Sequence, residues 1–444
     1  MSTAKTAAPT SSLTKTVREK HKEYLFPAII QYYAESIVPV EAKGLRVRDA
    51  DGNEYLDFFG GILTVSVGHA NDKVNAAIKA QVDRFSHVST LYPTLLAVEL
   101  AERLARLTPG NLKQSYFTAS GTEADETAVM MAQLATGSSE LIALRHGYSG
   151  RSMLAQSLTA HSSWRALPTQ VAGIKHAMAP YCYRCPLGLK PESCGTACAK
   201  DIEDIIRTTT TGRIAGFLAE PIQGVGGFIT PPPEYFEIAV GIIKKYGGVF
   251  ICDEVQTGFG RTGGKWWGIE HWGVQPDIMT MAKGVANGLP LAVTIATPEI
   301  ASALKTLTIS TFGGNPISCA AANATIQVIE EDDLPGNAER MGRVLRQGLE
   351  ELQRRFPKNI GDVRGLGLMQ AIEFVADETA GDRTPDKAMC NRVFEEAKKR
   401  FLLIGKGGLD GNSFRIAPPL TVTKPEVEEA LGILRESLEA AGAK

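Results

Sequence analysis

The sequence lacks both a long apolar run and an excess of charge of either sign. No hydrophobic stretch approaches the roughly 18 residues of a membrane-spanning helix. The 47 lysine and arginine residues are balanced by 49 aspartate and glutamate residues, which leaves a net charge of −2. Nucleic acids and anionic membrane surfaces bind proteins that carry an excess of basic residues, and this chain has none. The composition therefore predicts neither a membrane nor a nucleic-acid partner.

The N-terminal segment also lacks the apolar core of a secretory signal. Residues 1–16 are rich in Ser, Thr and Ala and carry only Lys5 and Lys15 as charges. The first acidic residue is Glu19, which suits a transit peptide, but no arginine precedes Arg18. We therefore expect an ordinary N-terminal tail.

Cysteine is scarce, and three of the seven cysteines are scattered along the chain. That usage is typical of a reducing compartment, so we predict a cytoplasmic protein. The other four crowd into a C-x2-C-x8-C-x3-C segment, at Cys182, Cys185, Cys194 and Cys198. The eight residues between Cys185 and Cys194 are fewer than in the commoner zinc patterns. A structural zinc site, disulfide bonds and reduced thiols therefore remain alternative interpretations. No predicted site residue is assigned to a metal.

The middle of the chain, residues 114–293, alternates short apolar strands with helices. The strand candidates lie at residues 115–118, 141–144, 214–219, 249–252, 278–281 and 291–294. They are uniformly hydrophobic, which is typical of strands covered on both faces. Helices between such strands favour parallel crossovers. The sequence therefore predicts an α/β fold with a mostly parallel central sheet and helices on both faces.

The flanking segments predict a smaller α+β unit. It comprises a short helix from Val17, a hairpin over residues 44–58, helices over 337–356 and after Thr423, and strands at 367–374 and 413–416. We divide the chain into an N-terminal segment, residues 1–60, that joins the small domain, a large domain of residues 61–325, and a C-terminal small domain of residues 326–444.

Two apolar strands end in residues of opposite charge, Asp253 and Lys283. Desolvation lowers the pKa of a lysine, and a neutral amine can form a Schiff base with an aldehyde; the alternative is a lysine that reaches the surface. Pyridoxal phosphate (PLP) needs a lysine for its aldehyde, an acid for its ring nitrogen and donors for its phosphate. The turn at residues 120–122 precedes a helix and could hold that phosphate, or could be an ordinary helix cap.

Three further features have alternative interpretations. Tyr148 either stacks on a flat heterocycle or packs on the core. Arg415, inside an apolar strand, either clamps a carboxylate or forms an internal ion pair. Residues 258–263 match G-x-G-x-x-G, which would suit a nicotinamide-dependent dehydrogenase, but no helix-forming sequence follows and Asp253 precedes the glycines. We interpret that match as coincidental.

Six motifs in order resemble those of class III PLP-dependent aminotransferases of fold type I. They are Ser120-Gly121-Thr122-Glu123-Ala124, Glu220-Pro221-Ile222-Gln223-Gly224, Asp253-Glu254-Val255-Gln256-Thr257-Gly258, Ala282-Lys283-Gly284, Thr311-Phe312-Gly313-Gly314-Asn315-Pro316 and Arg415-Ile416-Ala417-Pro418-Pro419. The resemblance runs from about Tyr32 to the C-terminus.

The resemblance implies roles for individual residues. Lys283 would bind the cofactor aldehyde, and Asp253 would pair with the ring nitrogen as the second catalytic residue. The other implied cofactor contacts are Ser120, Gly121, Thr122, Tyr148, Glu220, Val255, Gln256 and, from a neighbouring subunit, Thr311. The implied substrate contacts are Ile62, Tyr92 and Arg415. The implied partners are an amino donor, a 2-oxo acid and further copies of the chain, in a homodimer or a dimer of dimers.

Departures from the family pattern narrow the reaction. Relatives acting on ornithine or 4-aminobutyrate carry a glutamate at the position of Val225, and dialkylglycine decarboxylases carry a glutamine at that of Ile62. Residues 220–227 and the preceding cysteine-bearing loop most resemble the alanine–glyoxylate and 3-aminoisobutyrate–pyruvate branch. We expect ping-pong transfer from an amino acid or amine to a 2-oxo acid, pyruvate or glyoxylate. Transfer from 4-aminobutyrate or another omega-amino acid, and decarboxylation-coupled transfer, are the alternatives.

Overall fold

A computed structural model describes residues 10–167 and 171–444 of the chain. Its helices are α1 (Ser12–Tyr24), α2 (Gly60–Leu63), α3 (Asp72–Val82), α4 (Leu95–Leu107), α5 (Gly121–Thr136), α6 (Met153–Leu158), α7 (Ala197–Thr209), α8 (Tyr235–Lys245), α9 (Pro298–Ala301), α10 (Pro316–Glu331), α11 (Leu334–Arg355), α12 (Lys387–Lys399) and α13 (Lys424–Ala440). None of the helices in these ranges is long and apolar enough to cross a membrane.

The strands of the described ranges follow in chain order. They are β1 (Pro39–Lys43), β2 (Arg46–Asp49), β3 (Glu54–Asp57), β4 (Gln114–Thr118), β5 (Leu141–Leu144), β6 (Ile174–Ala177), β7 (Gly216–Ala219), β8 (Val249–Asp253), β9 (Ile278–Met281), β10 (Ala292–Ala296), β11 (Ile360–Leu366), β12 (Met369–Asp377), β13 (Asp382–Pro385), β14 (Leu402–Leu403), β15 (Gly405–Gly407) and β16 (Ser413–Ile416).

The N-terminal helix begins earlier than predicted. It starts at Ser12 rather than Val17, because the side chain of Ser11 accepts a hydrogen bond from the backbone N–H of Thr14 and caps the helix. Part of the predicted N-terminal tail is therefore helical, and residues 1–9 of that tail lie outside the described residues.

The central sheet has the order β4-β10-β9-β8-β7-β5-β6. All neighbours from β9 to β6 are parallel, and β10 runs antiparallel to both β9 and β4. Successive residues of β8 enter different core clusters, with Phe250 and Cys252 in one and Ile251 in the other. The prediction of a mostly parallel sheet covered on both faces is confirmed. β6 was not predicted, since Lys175 and His176 interrupt its apolar pattern.

Two smaller sheets flank the central one. In the first, β2 and β3 form the predicted antiparallel hairpin, and β3 pairs in parallel with β14, where Leu56 lies beside Leu402. The second has the order β11-β12-β16-β15 and carries Arg415 in its buried strand β16. N-terminal and C-terminal segments therefore share one sheet, while the division of the chain into domains stays a prediction.

Candidate active site

Three strands deliver charged side chains to one edge of the central sheet. Ala219 at the end of β7 lies beside Cys252 of β8. The next residues along these strands, Glu220 and Asp253, are therefore neighbours. β9 brings Lys283 to the same edge, as expected where the carboxyl ends of parallel strands meet. All three charged residues line one cavity.

The backbone of Lys283 is strained. Its φ is +46°, in the left-handed region that side-chain-bearing residues rarely adopt. The turn after it ends at Asn287, whose side chain accepts from the Val67 N–H at 3.0 Å and donates to the Gly68 carbonyl at 3.0 Å. These bonds hold the turn, so the strained conformation is maintained at the cavity wall.

Burial shifts the pKa values of the three charged groups. Loss of hydration lowers the pKa of Lys283 to about 8, although the carboxylates of Asp253 and Glu220 oppose that shift. Burial, and then the charge of Asp253, raise the pKa of Glu220 to about 8. Burial also raises the pKa of Asp253, to about 6, against the Val255 N–H and Lys283, which stabilise its charge. Burial therefore favours the neutral form of Glu220 and of Asp253, and the charge of Lys283 opposes it.

Asp125 is a fourth ionisable residue of this cavity, and the motif reasoning missed it. Thr280 Oγ1 donates a hydrogen bond to Asp125 Oδ1 at 2.8 Å. Burial, followed by the charge of Asp253, raises the pKa of Asp125 well above its usual range. The signal was present in the sequence, because Asp125 follows Gly121 by four residues and shares its helix face with Ala128 and Val129.

The start of α5 and the loop at Gly150 form a cradle at one end of the cavity. The first N–H groups of a helix have no intrahelical partner, and the helix dipole favours an anion there. α5 begins at Gly121, and Thr122 Oγ1 accepts a hydrogen bond from the Arg151 N–H at 3.3 Å. Gly150 has a φ of +133°, and a Cβ there would collide with the Thr122 side chain. The cradle fits a phosphate.

The middle of the cavity fits a flat ring. Val255 and Tyr148 line it. The Tyr148 N–H donates to Glu220 Oε1 at 3.1 Å, which ties the loop of Tyr148 to the acidic edge. Gln256 is buried, and its Oε1 has no hydrogen-bond partner within the described chain, so it can serve a polar group on a bound ligand. Lysine, acid, amide and phosphate cradle together match the donor set that PLP requires.

Arg415 is buried, with 3% of its surface exposed. Its charge contributes to the lowered pKa of Lys283. Its Nη1 is buried without a hydrogen-bond partner among the described residues. The sequence left a carboxylate clamp or an internal ion pair open, and no ion pair of the described residues includes Arg415. The geometry favours the clamp.

Five predicted site residues do not line the Lys283 cavity of the described chain, and Arg415, described above, is one of them. Ser120 caps α5, where its hydroxyl accepts from the Glu123 N–H and donates to the Glu123 carboxylate. Thr311 is exposed on a separate cavity with Ser310. Ile62 and Tyr92 are 46% and 66% exposed. Ile62 has a φ of +65°, which strains a β-branched residue.

The remaining sequence features lie away from this cavity. Cys182, Cys185, Cys194 and Cys198 line one small apolar pocket and are free thiols. Burial raises the pKa of Cys198 to about 11, which favours its protonated form. No group of three or more His, Cys, Asp or Glu residues in the described ranges is arranged to hold a metal ion. Residues 258–263 form turns and start no helix, unlike a dinucleotide fingerprint.

Comparisons with known proteins agree with this geometry. Residues 31–438 match the family model described as Aminotransferase class-III. Alanine–glyoxylate aminotransferase 2 homolog 2, mitochondrial, of Arabidopsis thaliana is 42% identical over 93% of this chain and 85% of that protein. Alanine–glyoxylate aminotransferase 2, mitochondrial, of Homo sapiens is 39% identical over 95% and 86%. A PLP-bound amine transaminase from an uncultivated Pseudomonas species has a TM-score of 0.88 at 32% identity, covering 95% of this chain and 99% of that one.

Proposed function

The chain belongs to the class III aminotransferases, which are PLP-dependent enzymes, and we propose that it moves the amino group of an amino acid to pyruvate or glyoxylate. The observation that carries this proposal is a buried arginine, Arg415, whose Nη1 has no hydrogen-bond partner and which has no carboxylate partner in the described chain. A substrate carboxylate satisfies that arginine, and both proposed acceptors carry a carboxylate next to the reacting carbon.

When bound, PLP supplies an aldehyde that links to amines and a ring that withdraws electrons from the carbon beside the amine. In the proposed arrangement, Lys283 would hold the aldehyde, and its freed amine would accept a proton from the donor carbon and return it. The carboxylate of Asp253 would keep the ring nitrogen protonated. The α5 cradle in the proposed large domain would bind the phosphate, and the proposed small domain would supply Arg415.

The same arginine bears on the alternative donors. A glutamate at the position of Val225 would pair with Arg415 and allow it to be neutralised. Val225 is apolar, and it is buried beside the strand pair that carries Arg415, where its carbonyl accepts from the Gly408 N–H at 2.9 Å. An unneutralised arginine supports substrates whose carboxylate lies close to the amino group, which disfavours 4-aminobutyrate and other omega-amino acids as donors.

We also propose that two chains complete each site. Thr311 is exposed, and its cavity includes Phe312, whose side chain is 64% exposed. Exposed apolar residues of this size support an interface between copies of the chain. The family resemblance assigns Thr311 to the phosphate of the neighbouring subunit, which would make a homodimer the smallest active form.

A cytoplasmic location is part of the proposal. The free thiols support a reducing compartment. Both aminotransferase 2 relatives are named as mitochondrial, so the location is tested by fractionating cells that express the tagged chain. Recovery of the chain in the mitochondrial matrix would overturn the assignment.

The function is tested with a panel of amino donors. Purified protein loaded with PLP is mixed with L-alanine, 3-aminoisobutyrate, 4-aminobutyrate or a primary amine, with pyruvate, glyoxylate or 2-oxoglutarate as acceptor, and the new amino acid is quantified. We expect turnover with alanine and glyoxylate, or with a second amino acid and pyruvate, and none in the Lys283→Ala control. Activity confined to 4-aminobutyrate with 2-oxoglutarate, or release of carbon dioxide in step with transfer, would contradict the proposal.

A further inference from the structure

Resting on the proposed function, we propose that Tyr32 is a positioning residue that holds Arg415 in the substrate site, and that this pair restricts the enzyme to donors and acceptors bearing a carboxylate. Tyr32 belongs to the N-terminal segment, 383 residues away from Arg415 in sequence. It therefore gives that segment a part in substrate selection.

Arg415 is held on three sides. Its Nη2 donates a hydrogen bond to Tyr32 Oη at 3.0 Å, and its Nε donates to the Lys406 carbonyl at 2.8 Å. The guanidinium lies over the rings of Phe59, at 4.9 Å, and Phe228, at 5.9 Å, where cation–π attraction favours it. These contacts occupy Nε and Nη2 and leave the buried Nη1 for a ligand.

The hydroxyl of Tyr32 is itself fixed in place. The Tyr32 ring packs against Phe59 and Phe394, each with ring centroids 5.7 Å away. The chain beside it is anchored, because the Ala34 N–H donates to Glu395 on α12 at 2.9 Å. A phenol held by two rings and an anchored backbone has little freedom, so its hydrogen bond orients the guanidinium at low entropic cost.

The partners of Arg415 are all neutral. Tyr32 supplies a hydroxyl and Lys406 a carbonyl, and no ion pair of the described chain involves Arg415. Burying an arginine without a counter-charge is unfavourable, because the guanidinium loses its hydration. A carboxylate that binds it through both oxygens compensates that loss best. Because Tyr32 aligns the guanidinium without neutralising it, the site stays cationic in both half-reactions. Amines without a carboxylate leave this charge unpaired and are selected against.

The test uses Tyr32→Phe, with Tyr33→Phe as the matched control. Tyr33 is the adjacent tyrosine, its ring stacks on Phe394 at 4.5 Å, and it makes no hydrogen bond to Arg415. Each protein is loaded with PLP and mixed with one donor in the absence of acceptor, so that the change in cofactor absorbance reports a single half-reaction. The donors are L-alanine, which has a carboxylate, and 1-phenylethylamine, which has none.

We expect Tyr32→Phe to lower the second-order rate constant of the half-reaction with L-alanine about tenfold, chiefly by raising the donor concentration needed for half-maximal rate, and to leave the constant for 1-phenylethylamine within twofold of the wild-type value. Tyr33→Phe should leave both donors within twofold. Equal losses on the two donors, or no loss on L-alanine, would overturn the positioning role. A purely structural defect is expected to affect both donors alike.

A binding measurement separates this inference from the proposed function. Propionate carries a carboxylate but no amino group, and its Kd for the PLP-loaded protein is measured by calorimetry. We expect a Kd about tenfold weaker in Tyr32→Phe, unchanged in Tyr33→Phe, and no further loss when Tyr32→Phe is added to Arg415→Ala. If the wild type binds propionate in this way but fails to transaminate alanine, the proposed donor is wrong and the role of Tyr32 stands. If the losses of propionate affinity caused by Tyr32→Phe and by Arg415→Ala add up in the double variant, Tyr32 does not act through Arg415.

Discussion

Glu220 directly follows β7 and Asp253 ends the neighbouring parallel strand β8, and burial raises the pKa of the first carboxyl to about 8 and of the second to about 6. The charge of Asp253 adds to the raised pKa of Glu220. The Tyr148 and Gly224 N–H groups bind the two oxygens of Glu220, at 3.1 and 2.7 Å, so that carboxyl organises the cavity wall. Because both oxygens of Glu220 accept backbone hydrogen bonds, Asp253 is the carboxylate that we assign to a protonated ring nitrogen.

Asp253→Asn should cost far more in rate than in stability. The amide is nearly isosteric, but it cannot keep the ring nitrogen charged, and we expect a loss of ~3 kcal/mol, or roughly a hundredfold, in kcat. Turnover is compared after equal PLP loading, with thermal unfolding as the control for folding. Near-normal kcat in a fully loaded variant would refute the assignment.

Lys283→Ala should abolish turnover and leave PLP bound without a covalent link. Lys283 is the lysine that lines the cavity beside Asp253 in the described chain. Borohydride reduction of the wild type, followed by peptide mapping, should find the cofactor attached to Lys283, and the variant should carry no label. A label on a different lysine would show that the wrong residue has been chosen.

Capture of PLP by the cofactor-free protein should depend on pH. Burial lowers the pKa of the Lys283 amine to about 8, and only the neutral amine attacks an aldehyde. Below pH 8 the amine is mostly protonated, so the capture rate should rise as pH rises to about 8 and level off above it. Stopped-flow absorbance measures this rate, and a rate that falls over the same interval contradicts the prediction.

Gly150→Ala should weaken cofactor binding. At a φ of +133°, a Cβ at this position meets the Thr122 side chain, so the cradle for the phosphate must open. We expect PLP to dissociate at least tenfold more readily, measured by equilibrium dialysis. Gly432→Ala is the control, since a Cβ there meets no atom within 4 Å. Equal affinities in the two variants would remove Gly150 from the phosphate site.

Mixing two inactive variants should restore activity if Thr311 acts across the subunit interface. Chains carrying Lys283→Ala and chains carrying Thr311→Asp are each expected to be inactive or weak. In a mixed dimer, one site combines an intact Lys283 with the partner's wild-type threonine, so activity should approach a quarter of the wild-type level in an equimolar mixture. No recovery after verified subunit exchange would mean that Thr311 does not complete the neighbouring site.

Much of the fold followed from local patterns. Uniformly apolar runs such as Leu141–Leu144 marked the buried strands, and the Asp51-Gly52 turn marked the hairpin of β2 and β3. β6 escaped this reasoning, because Lys175 and His176 make its pattern resemble that of an exposed segment. Ser11 shifted the start of α1 by a capping bond that the apolar pattern does not encode.

The sequence by itself determined the family, because six motifs in order resemble those of class III aminotransferases. It also pointed to Lys283 and Asp253 as candidates, because each lies at the end of an apolar strand and this position is visible along the chain. Tertiary structure decided which distant residues support them. Asp125 enters the cavity through the packing of α5 on β9, and Tyr32 reaches Arg415 across 383 residues. Strand periodicity reports whether a side chain is buried, whereas its partner depends on how separate elements pack, and no local pattern specifies that contact.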